Sequence, residues 1–391
     1  MLTLSLTHHP HARKELFLNK SLRIVSRSGL NATEAALIEQ LPSLKKNTVF
    51  ASPLFLGGRT GALAMTFWLT RGDSIHGTAT VHTFDAHTLS TLKRNLEANH
   101  APDSLLHAEA CINLVPLVKP CDTVFWQITK GSTTAELELD TLEQLFAEPE
   151  AGPRTFYIAA EELNDTFVKR LKKHCGSVSI KNIGNIRLLQ ATLAKPIPDD
   201  ERCDRRAEFE VSLPGHDPIK LMTYPGCFCH RRADMGGLAL TETVASHIDL
   251  EKHDRIMDMG CGCGMDGILL ATAFPEKELQ IDYQDSNAAA WASAVENLRR
   301  YPHTATVHFS ADGEGNAGTY DIFLANPPYF GDWRIAEFFV QTAARLLKKG
   351  GLIAFVSKRE GKPRELLEQA GFTLLDAFPR RGYTVLLAEH P

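Results

Sequence analysis

The sequence lacks the features that would assign it to a membrane or secreted class. No apolar run approaches the roughly 20 residues that a membrane-spanning helix needs. Its first ten residues have neither the basic segment nor the long apolar core of a signal peptide. The net charge of −5 does not indicate a nucleic-acid-binding protein as a whole, although basic patches can be local. We therefore expect a cytoplasmic protein with no membrane partner.

The sequence also lacks the cysteine spacings of metal sites. None of its eight cysteines forms a Cys-x-x-Cys pair. The segment Cys227-x-Cys229-His230 has no second ligand pair at a spacing suited to zinc. We interpret the cysteines as free thiols and expect no metal.

The most informative feature that is present is Asn326-Pro327-Pro328-Tyr329. It follows the apolar run 320–325, which is typical of a buried strand. Two prolines cannot continue the hydrogen-bond ladder, so they stiffen a turn at the end of that strand. The Asn amide and nearby carbonyls are then available to accept the hydrogens of a planar NH2 group. An ordinary Pro-Pro turn is the alternative that this motif alone leaves open.

A glycine-rich loop lies upstream of this motif. The short apolar run 255–259 leads into Gly260-Cys261-Gly262-Cys263-Gly264, and a second apolar stretch follows. Strand, glycine loop and helix open a Rossmann-like unit, in which a ligand passes over backbone that has no Cβ. Asp285 ends the next predicted strand, where a carboxylate can accept hydrogen bonds from ribose hydroxyls.

The loop allows two interpretations. Gly262, Gly264 and Gly267 satisfy G-x-G-x-x-G, which also occurs in nicotinamide-dependent oxidoreductases. The fuller pattern, an acid at Asp258 followed by alternating glycines, resembles the S-adenosylmethionine loop of class I methyltransferases. Because Asn-Pro-Pro-Tyr follows the fourth strand in order, we favour the methyltransferase. In that fold Asp312, after the third strand, often lies near the adenine amine; a simple turn aspartate is the alternative.

The N-terminal half repeats the same order of elements. Three landmarks recur at similar spacing: Gly57 to Asp85 spans 28 positions and Gly260 to Asp285 spans 25, while Asp85 to Asp122 spans 37 and Asp285 to Asp321 spans 36. This recurrence predicts a duplicated domain.

The first copy lacks the residues on which the chemistry depends. Phe55 stands in the place of Asp258, Arg59 stands in the place of Gly262, and residues 127–130 replace Asn-Pro-Pro-Tyr. We predict that this copy is catalytically inactive.

The chain as a whole resembles the ribosomal RNA guanine-N2 methyltransferases, namely methyltransferase C of the small ribosomal subunit and methyltransferase G of the large one. These proteins carry a degenerate methyltransferase-like domain followed by an active one. The segment 225–236 is similar to the family's Pro-Gly-x-Phe-Ser-Arg-Asp-x-Leu-Asp-x-Gly, which borders the cofactor and substrate pocket. Cys229 replaces the family's Ser. Tyr329 and Phe330 stand where the family has Phe and then His, which bears on the substrate more than on the reaction.

The resemblance implies S-adenosylmethionine as cofactor and ribosomal RNA or a ribosomal subunit as partner, with a monomer favoured. The implied cofactor-binding residues are Asp258, Gly260, Cys261, Gly262, Gly264, Asp285 and Asp312. The implied catalytic residues are Asn326, Pro327, Pro328 and Tyr329. Arg231 and Arg232, beside the pocket, are candidates for phosphate contacts. The same motif also serves glutamine-N5 and adenine-N6 methylation, which stay open as alternatives.

We therefore predict an α/β protein with two tandem Rossmann-like class I methyltransferase domains. Each sheet is mostly parallel, and in the second it ends in a closing antiparallel pair of strands, near 372–378 and 383–389. The proline-punctuated segment 196–206 is the predicted linker. It separates a degenerate domain at 1–195, which braces or binds RNA, from a catalytic domain at 207–391.

Overall fold

The computed structural model describes residues 29–147, 154–328 and 333–391, together with three short strands before residue 29. The chain divides into two compact units, Met1–Arg205 and Arg206–Pro391. Tyr329, which the sequence nominates as catalytic, lies outside the described residues.

The first unit combines a small antiparallel sheet with a larger α/β sheet. Its strands are β1 (Leu4–His8), β2 (Lys14–Leu18), β3 (Leu22–Ser26), β4 (Leu54–Leu56), β5 (Ala79–Thr83), β6 (Leu106–Ala110), β7 (Thr123–Ile128), β8 (Thr155–Ala160), β9 (Cys175–Ile183) and β10 (Ile186–Leu193). Its helices are α1 (Ala32–Gln40), α2 (Ala62–Arg71), α3 (Ala86–Ala98), α4 (Val115–Val118), α5 (Ala135–Phe146) and α6 (Asp165–His174).

The second unit begins with a hairpin and continues as a second α/β sheet. Its strands are β11 (Ala207–Val211), β12 (Ile219–Thr223), β13 (Arg255–Met259), β14 (Gln280–Asp285), β15 (Thr304–Phe309), β16 (Tyr320–Ala325), β17 (Leu347–Ser357), β18 (Thr373–Arg380) and β19 (Tyr383–Glu389). Its helices are α7 (Met235–His247), α8 (Met265–Ala273), α9 (Ala288–Arg300), α10 (Arg334–Leu346) and α11 (Gly361–Gln369).

The two large sheets have the same topology. The first has the order β6-β5-β4-β7-β8-β10-β9 and the second has the order β15-β14-β13-β16-β17-β19-β18. In each, five strands are parallel and the last two pair antiparallel. Two tandem methyltransferase-like domains with a closing antiparallel pair are therefore confirmed.

The central strands of both sheets are apolar because helices cover both faces, as is usual for parallel sheets. Every residue of β4 and of β16 is buried. In the first unit, Arg154 is fully buried and donates hydrogen bonds to the carbonyls of Cys121 (2.9 Å), Val118 (3.1 Å) and Leu145. It thereby satisfies three backbone acceptors that the fold removes from water. Within the described ranges, no helix is long and apolar enough to cross a membrane.

Candidate active site

The strand register of the second sheet brings the predicted site residues to one edge. Met259 lies opposite Gln284 of β14 and opposite Ala325 of β16. The next residues along these parallel strands are therefore neighbours: Gly260, Asp285 and Asn326. The carboxyl edge of an open α/β sheet, where strand order reverses, is where such folds bind ligands.

The glycine loop is held against β14 by its own backbone. The N–H groups of Gly260 and Cys261 both donate to the carbonyl of Gln284, at 2.8 and 3.0 Å. Gly262 N–H donates to Asp285 Oδ2 at 2.9 Å. Gly262 has φ +57°, and no described atom lies within 4 Å of the place where a Cβ would stand. The loop therefore leaves open space over backbone, as a cofactor cradle requires.

Burial shapes the electrostatics of this loop. Asp258 is 3 % exposed, and its Oδ2 accepts one long hydrogen bond, 3.4 Å from Gly267 N. Burial, and to a lesser extent the nearby carboxylate of Asp285, raises the pKa of Asp258 to about 7. Burial also raises the pKa of Asp266, whose Oδ1 has no partner among the described residues. A cationic or hydrogen-bond-donating ligand would compensate these poorly solvated carboxyls.

Asp285 is fixed by local hydrogen bonds at the end of β14. Its Oδ2 accepts from Gly262 N, and its Oδ1 accepts from Asn287 N at 2.8 Å. Asp312 lies on an exposed turn after β15, where its N–H donates to Ser310 Oγ at 3.1 Å. The structure thus holds Asp285 against the loop and leaves the Asp312 side chain in solvent.

Asn326 is positioned by a residue that the sequence analysis did not single out. Asp234 is the N-cap of α7, and its Oδ2 accepts a hydrogen bond from Asn326 Nδ2 at 2.5 Å. Among the described residues, no donor reaches the Oδ1 of Asn326. Pro327 is buried and Pro328 is half-buried, so packing holds the start of the turn that follows β16.

The turn that precedes α7 lies close to the glycine loop and to Asp285. Cys227 is buried, and burial raises the pKa of its thiol, as does the nearby carboxylate of Asp285. The adjacent Phe228 is 72 % exposed, which is unusual for a large apolar side chain. Arg231 and Arg232, also exposed, follow on the same turn. An exposed aromatic ring next to two arginines is a typical surface for single-stranded nucleic acid.

Strand β19 brings further side chains near Asn326. A Cβ built on Gly236 would lie 3.3 Å from Asn326 Oδ1 and 3.2 Å from Tyr383 Cε1. The Nζ of Lys358 stands 5.4 Å from the centre of the Tyr383 ring. The family motif at 225–236 already placed the segment of Asp234 beside the pocket, whereas no sequence pattern identified Tyr383, because only the fold brings its strand there.

Three basic residues of the C-terminal part of the chain pair with carboxylates of the fold. Arg381 donates to Glu242 Oε1 at 2.6 and 3.0 Å, and Arg380 lies 3.5 Å from Glu242 Oε2. Because Glu242 is 4 % exposed, these arginines neutralise a buried carboxylate of α7. Lys348 similarly pairs with Asp321 at 2.9 Å.

In the first unit, side chains of the protein occupy the place that corresponds to the open glycine loop of the second unit. Phe55 is buried and stacks on Phe125 with ring centroids 5.0 Å apart. The fully buried Glu34 of α1 accepts hydrogen bonds from Thr60 Oγ1 (2.8 Å) and Leu63 N (3.3 Å). Arg59 extends into solvent where Gly262 leaves space. This copy therefore offers neither the acid nor the open loop of the second.

One detail of the sequence comparison between the copies is wrong. Gly57 N donates to His82 O, as Gly260 N donates to Gln284 O, so Thr83 and not Asp85 corresponds to Asp285. Asp85 caps α3 instead, with its Oδ1 accepting from Thr88 N at 2.8 Å. Asp85 corresponds to Asn287, the N-cap of α9, since in each copy the cap lies two residues after the end of the strand.

Seven of the eight cysteines are buried or half-buried, and Cys203 is exposed. All eight are free thiols, and no cluster that could hold a metal occurs in the part of the chain that the structure describes. Burial raises the pKa of Cys263 to about 12 and that of Cys261 well above its usual range. These thiols of the loop therefore stay protonated at neutral pH and act as small apolar side chains.

Methyltransferases are among the known proteins whose sequences are similar to this chain. Residues 218–386 match the sequence model of the methyltransferase small domain. Ribosomal RNA small subunit methyltransferase C of Shewanella loihica is 29 % identical over 188 residues, which cover 47 % of this chain and 53 % of the relative. The protein of the same name from Hahella chejuensis is 26 % identical over 253 residues, 62 % of this chain and 71 % of the relative. The first alignment thus spans about half of the relative's length.

The fold of the whole chain is also found in a solved structure. The 16S rRNA N2 methyltransferase of T. thermophilus, solved in complex with AdoMet and guanosine, has a TM-score of 0.72. It is 19 % identical, and the match covers 100 % of this chain and 98 % of that chain. The resemblance inferred from sequence is confirmed: residues 218–386 match the methyltransferase small domain, and the chain is similar to the ribosomal RNA small subunit methyltransferase C proteins.

Proposed function

We propose that the chain is an S-adenosylmethionine-dependent methyltransferase that modifies the exocyclic N2 of a guanine in ribosomal RNA. The observation that carries the proposal is the position of Asn326: it directly follows β16, beside an open glycine loop on β13, with its Nδ2 bound to Asp234 at 2.5 Å. The names of the relatives, and the AdoMet and guanosine of the T. thermophilus structure, support the same chemistry.

The residues around the glycine loop suit this cofactor. S-adenosylmethionine, when bound, supplies an electrophilic methyl group on its sulfonium. Gly260, Cys261, Gly262 and Gly264 would give it close approach to backbone. We assign Asp258 and Asp285 as acceptors for its ammonium and ribose hydroxyls. We assign Asp312, in its exposed turn, to the adenine amine.

The acceptor side requires groups that accept hydrogen bonds from a flat amine. Asn326 Oδ1 and the Pro327 carbonyl would accept the two hydrogens of guanine N2, so that the nitrogen faces the methyl group. Pro328 stiffens the turn, and we assign Tyr329 to stack on the base. Because the proton can leave to solvent after transfer, no strong base is needed. Positioning of the reactants would supply most of the acceleration, about 7–11 kcal/mol at best.

The RNA must present an unpaired base to this pocket. Flipping a paired base costs a few kcal/mol, so a guanine that is already unpaired is favoured. We assign Arg231 and Arg232 to phosphate contacts, and Phe228 to an apolar contact with the RNA. The first domain, residues 1–195, would widen the RNA grip and brace the catalytic domain at 207–391. An rRNA substrate fits a cytoplasmic protein, which we propose acts as a monomer.

Transfer of labelled methyl groups tests this function. Wild-type protein and Asn326→Ala are incubated with tritiated S-adenosylmethionine and rRNA or small ribosomal subunits from cells that lack the protein, and the modified nucleoside is identified. We expect N2-methylguanosine with the wild type, and none with Asn326→Ala, which should still bind the cofactor. Label in DNA or protein fractions would instead indicate adenine-N6 or glutamine-N5 methylation. Equal rates for both proteins would remove Asn326 from the mechanism.

A further inference from the structure

Asp234 makes two kinds of contact with one carboxylate. Its Oδ1 accepts from Gly236 N at 3.2 Å and its Oδ2 accepts from Gly237 N at 3.1 Å, which caps α7. The same Oδ2 accepts from Asn326 Nδ2 at 2.5 Å. The two residues are 92 positions apart in the chain. Helix capping needs only the first kind of contact, so the second calls for its own explanation.

A carboxamide presents two chemically opposite ends. Its oxygen only accepts hydrogen bonds and its NH2 only donates them, and the two ends exchange places by a half-turn about the last side-chain bond. An ionised carboxylate only accepts, so it binds the NH2 end of Asn326 and turns the oxygen the other way. In the opposite orientation, the NH2 of Asn326 would face the amine of the substrate, and two donors would meet.

We propose that Asp234 is a positioning residue that fixes the amide orientation of Asn326, so that its Oδ1 faces the acceptor amine. This inference rests on the proposed function. Asp234 touches neither the transferred methyl group nor the amine; it acts through Asn326.

The surroundings of Asn326 fit this role. Gly236 has no side chain, and a Cβ there would stand 3.3 Å from Asn326 Oδ1. The first turn of α7 therefore leaves the acceptor oxygen uncrowded while its N-cap binds the other end of the amide. Because Asp234 is fixed at the start of α7, it provides a rigid hydrogen-bond partner for the amide of Asn326.

The inactive copy provides an internal comparison. Asn31 caps α1, as Asp234 caps α7, and its Nδ2 lies 3.5 Å from Thr129 Oγ1, just after β7. The contact between the N-cap and the segment after the fourth strand is thus present in both copies. The carboxylate occurs only in the copy that has Asn326; at the equivalent position the first copy has Gln127, whose Oε1 has no partner among the described residues.

The substitution Asp234→Asn separates orientation from capping. Asn caps helices as well as Asp does. With its oxygen engaged by the N–H groups of α7, the new side chain offers its NH2 to residue 326 and favours the reversed orientation of Asn326. We expect kcat to fall about a hundredfold, in the range seen when an oriented polar group is removed from an active site. The KM for S-adenosylmethionine and the Tm should stay close to wild type. Asp85→Asn, at the cap of α3, is the matched control and should leave kcat unchanged.

A swap of the two side chains is the sharper test. In Asp234→Asn combined with Asn326→Asp, the amide at 234 donates to one oxygen of the carboxylate at 326, and the other oxygen faces the substrate. The double variant should recover at least about tenfold in kcat over Asp234→Asn, and Asn326→Asp alone should not, because two carboxylates then face each other. A merely structural role for Asp234 predicts no recovery.

A readout independent of activity distinguishes this inference from the proposed function. The side-chain NH2 signals of Asn326, assigned by comparison with Asn326→Ala, should show slow hydrogen exchange in the wild type and fast exchange in Asp234→Asn. Unchanged exchange, an unchanged kcat, or a swap no better than Asp234→Asn would overturn the inference. A wild-type protein that methylates no guanine but keeps this exchange pattern would refute the proposed function alone.

Discussion

Replacing Gly262 by alanine separates the stability of the glycine loop from its ability to hold a cofactor. At φ +57° an alanine is in the left-handed region, which costs about 1–2 kcal/mol relative to glycine. No described atom lies within 4 Å of the new methyl group, so no steric cost is added within the protein. For a domain of this size, the expected loss in Tm is about 2–8 °C.

Cofactor binding should suffer more than stability does. The added methyl group occupies the open space over the loop, where we propose that the cofactor crosses the backbone. Overpacking by one methyl group typically costs about 1–3 kcal/mol, which raises the Kd about fivefold to 150-fold. Titration calorimetry with S-adenosylmethionine measures this loss, and thermal unfolding without ligand measures the change in Tm.

Gly318→Ala is the matched control for this experiment. Gly318 belongs to the same unit, has φ +62° and likewise has no described atom within 4 Å of the place where a Cβ would stand. It therefore carries the same backbone strain without lying on the loop, and its cofactor affinity should equal that of the wild type. The reasoning is refuted if Gly262→Ala binds S-adenosylmethionine as tightly as Gly318→Ala does.

Three further predictions follow from the structure. The pKa of Asp258 is about 7 in the folded state and about 4 in the unfolded state. Between these pH values the carboxyl group therefore keeps its proton in the folded state and loses it in the unfolded state. The free energy of unfolding should therefore fall as pH rises from 4 to 7, and Asp258→Asn should reduce that slope in urea titrations; an unchanged slope would contradict the assignment. Arg154→Leu removes the guanidinium donor from three buried carbonyls, of which that of Val118 keeps its bond from Cys121 N, and should cost about 3–5 kcal/mol in chemical unfolding, whereas Arg71→Leu, whose carbonyl partners are near solvent, should cost far less. Alanine at both Arg231 and Arg232 should lower the slope of log K for RNA against log salt by about one per lost phosphate contact, and an equal slope would exclude them from the interface.

Local patterns in the sequence predicted much of the fold. The strands at 255–259 and 320–325 were predicted at the bounds that the structure has, because each is a short apolar run that ends at glycine or proline. The antiparallel closing pair was also confirmed. In each case the sequence contains both the apolar run and the residue that stops it.

Features that depend on packing were not predictable in this way. Helix α7 begins at Met235, because the Asp234 cap admits two glycines into its first turn. Lys348 lies in β17, where Asp321 of the neighbouring strand binds it. The contact between Asp234 and Asn326 depends on the docking of a helix against a sheet, which no local pattern reveals. The small sheet β1-β2-β3 was not anticipated either.

Because Glu34 is buried in the first copy, the two copies differ in how much a bound ligand can stabilise them. In the first copy, Glu34 itself accepts hydrogen bonds from Thr60 Oγ1 and from the N–H of Leu63 at the start of α2, so the chain occupies that place with its own carboxyl group. In the second copy, Asp258 accepts one long hydrogen bond, from Gly267 N, and Gly262 leaves open space in the loop that follows. A ligand that donates a hydrogen bond to Asp258 would therefore stabilise the second unit, whereas the first unit would gain nothing from the same ligand.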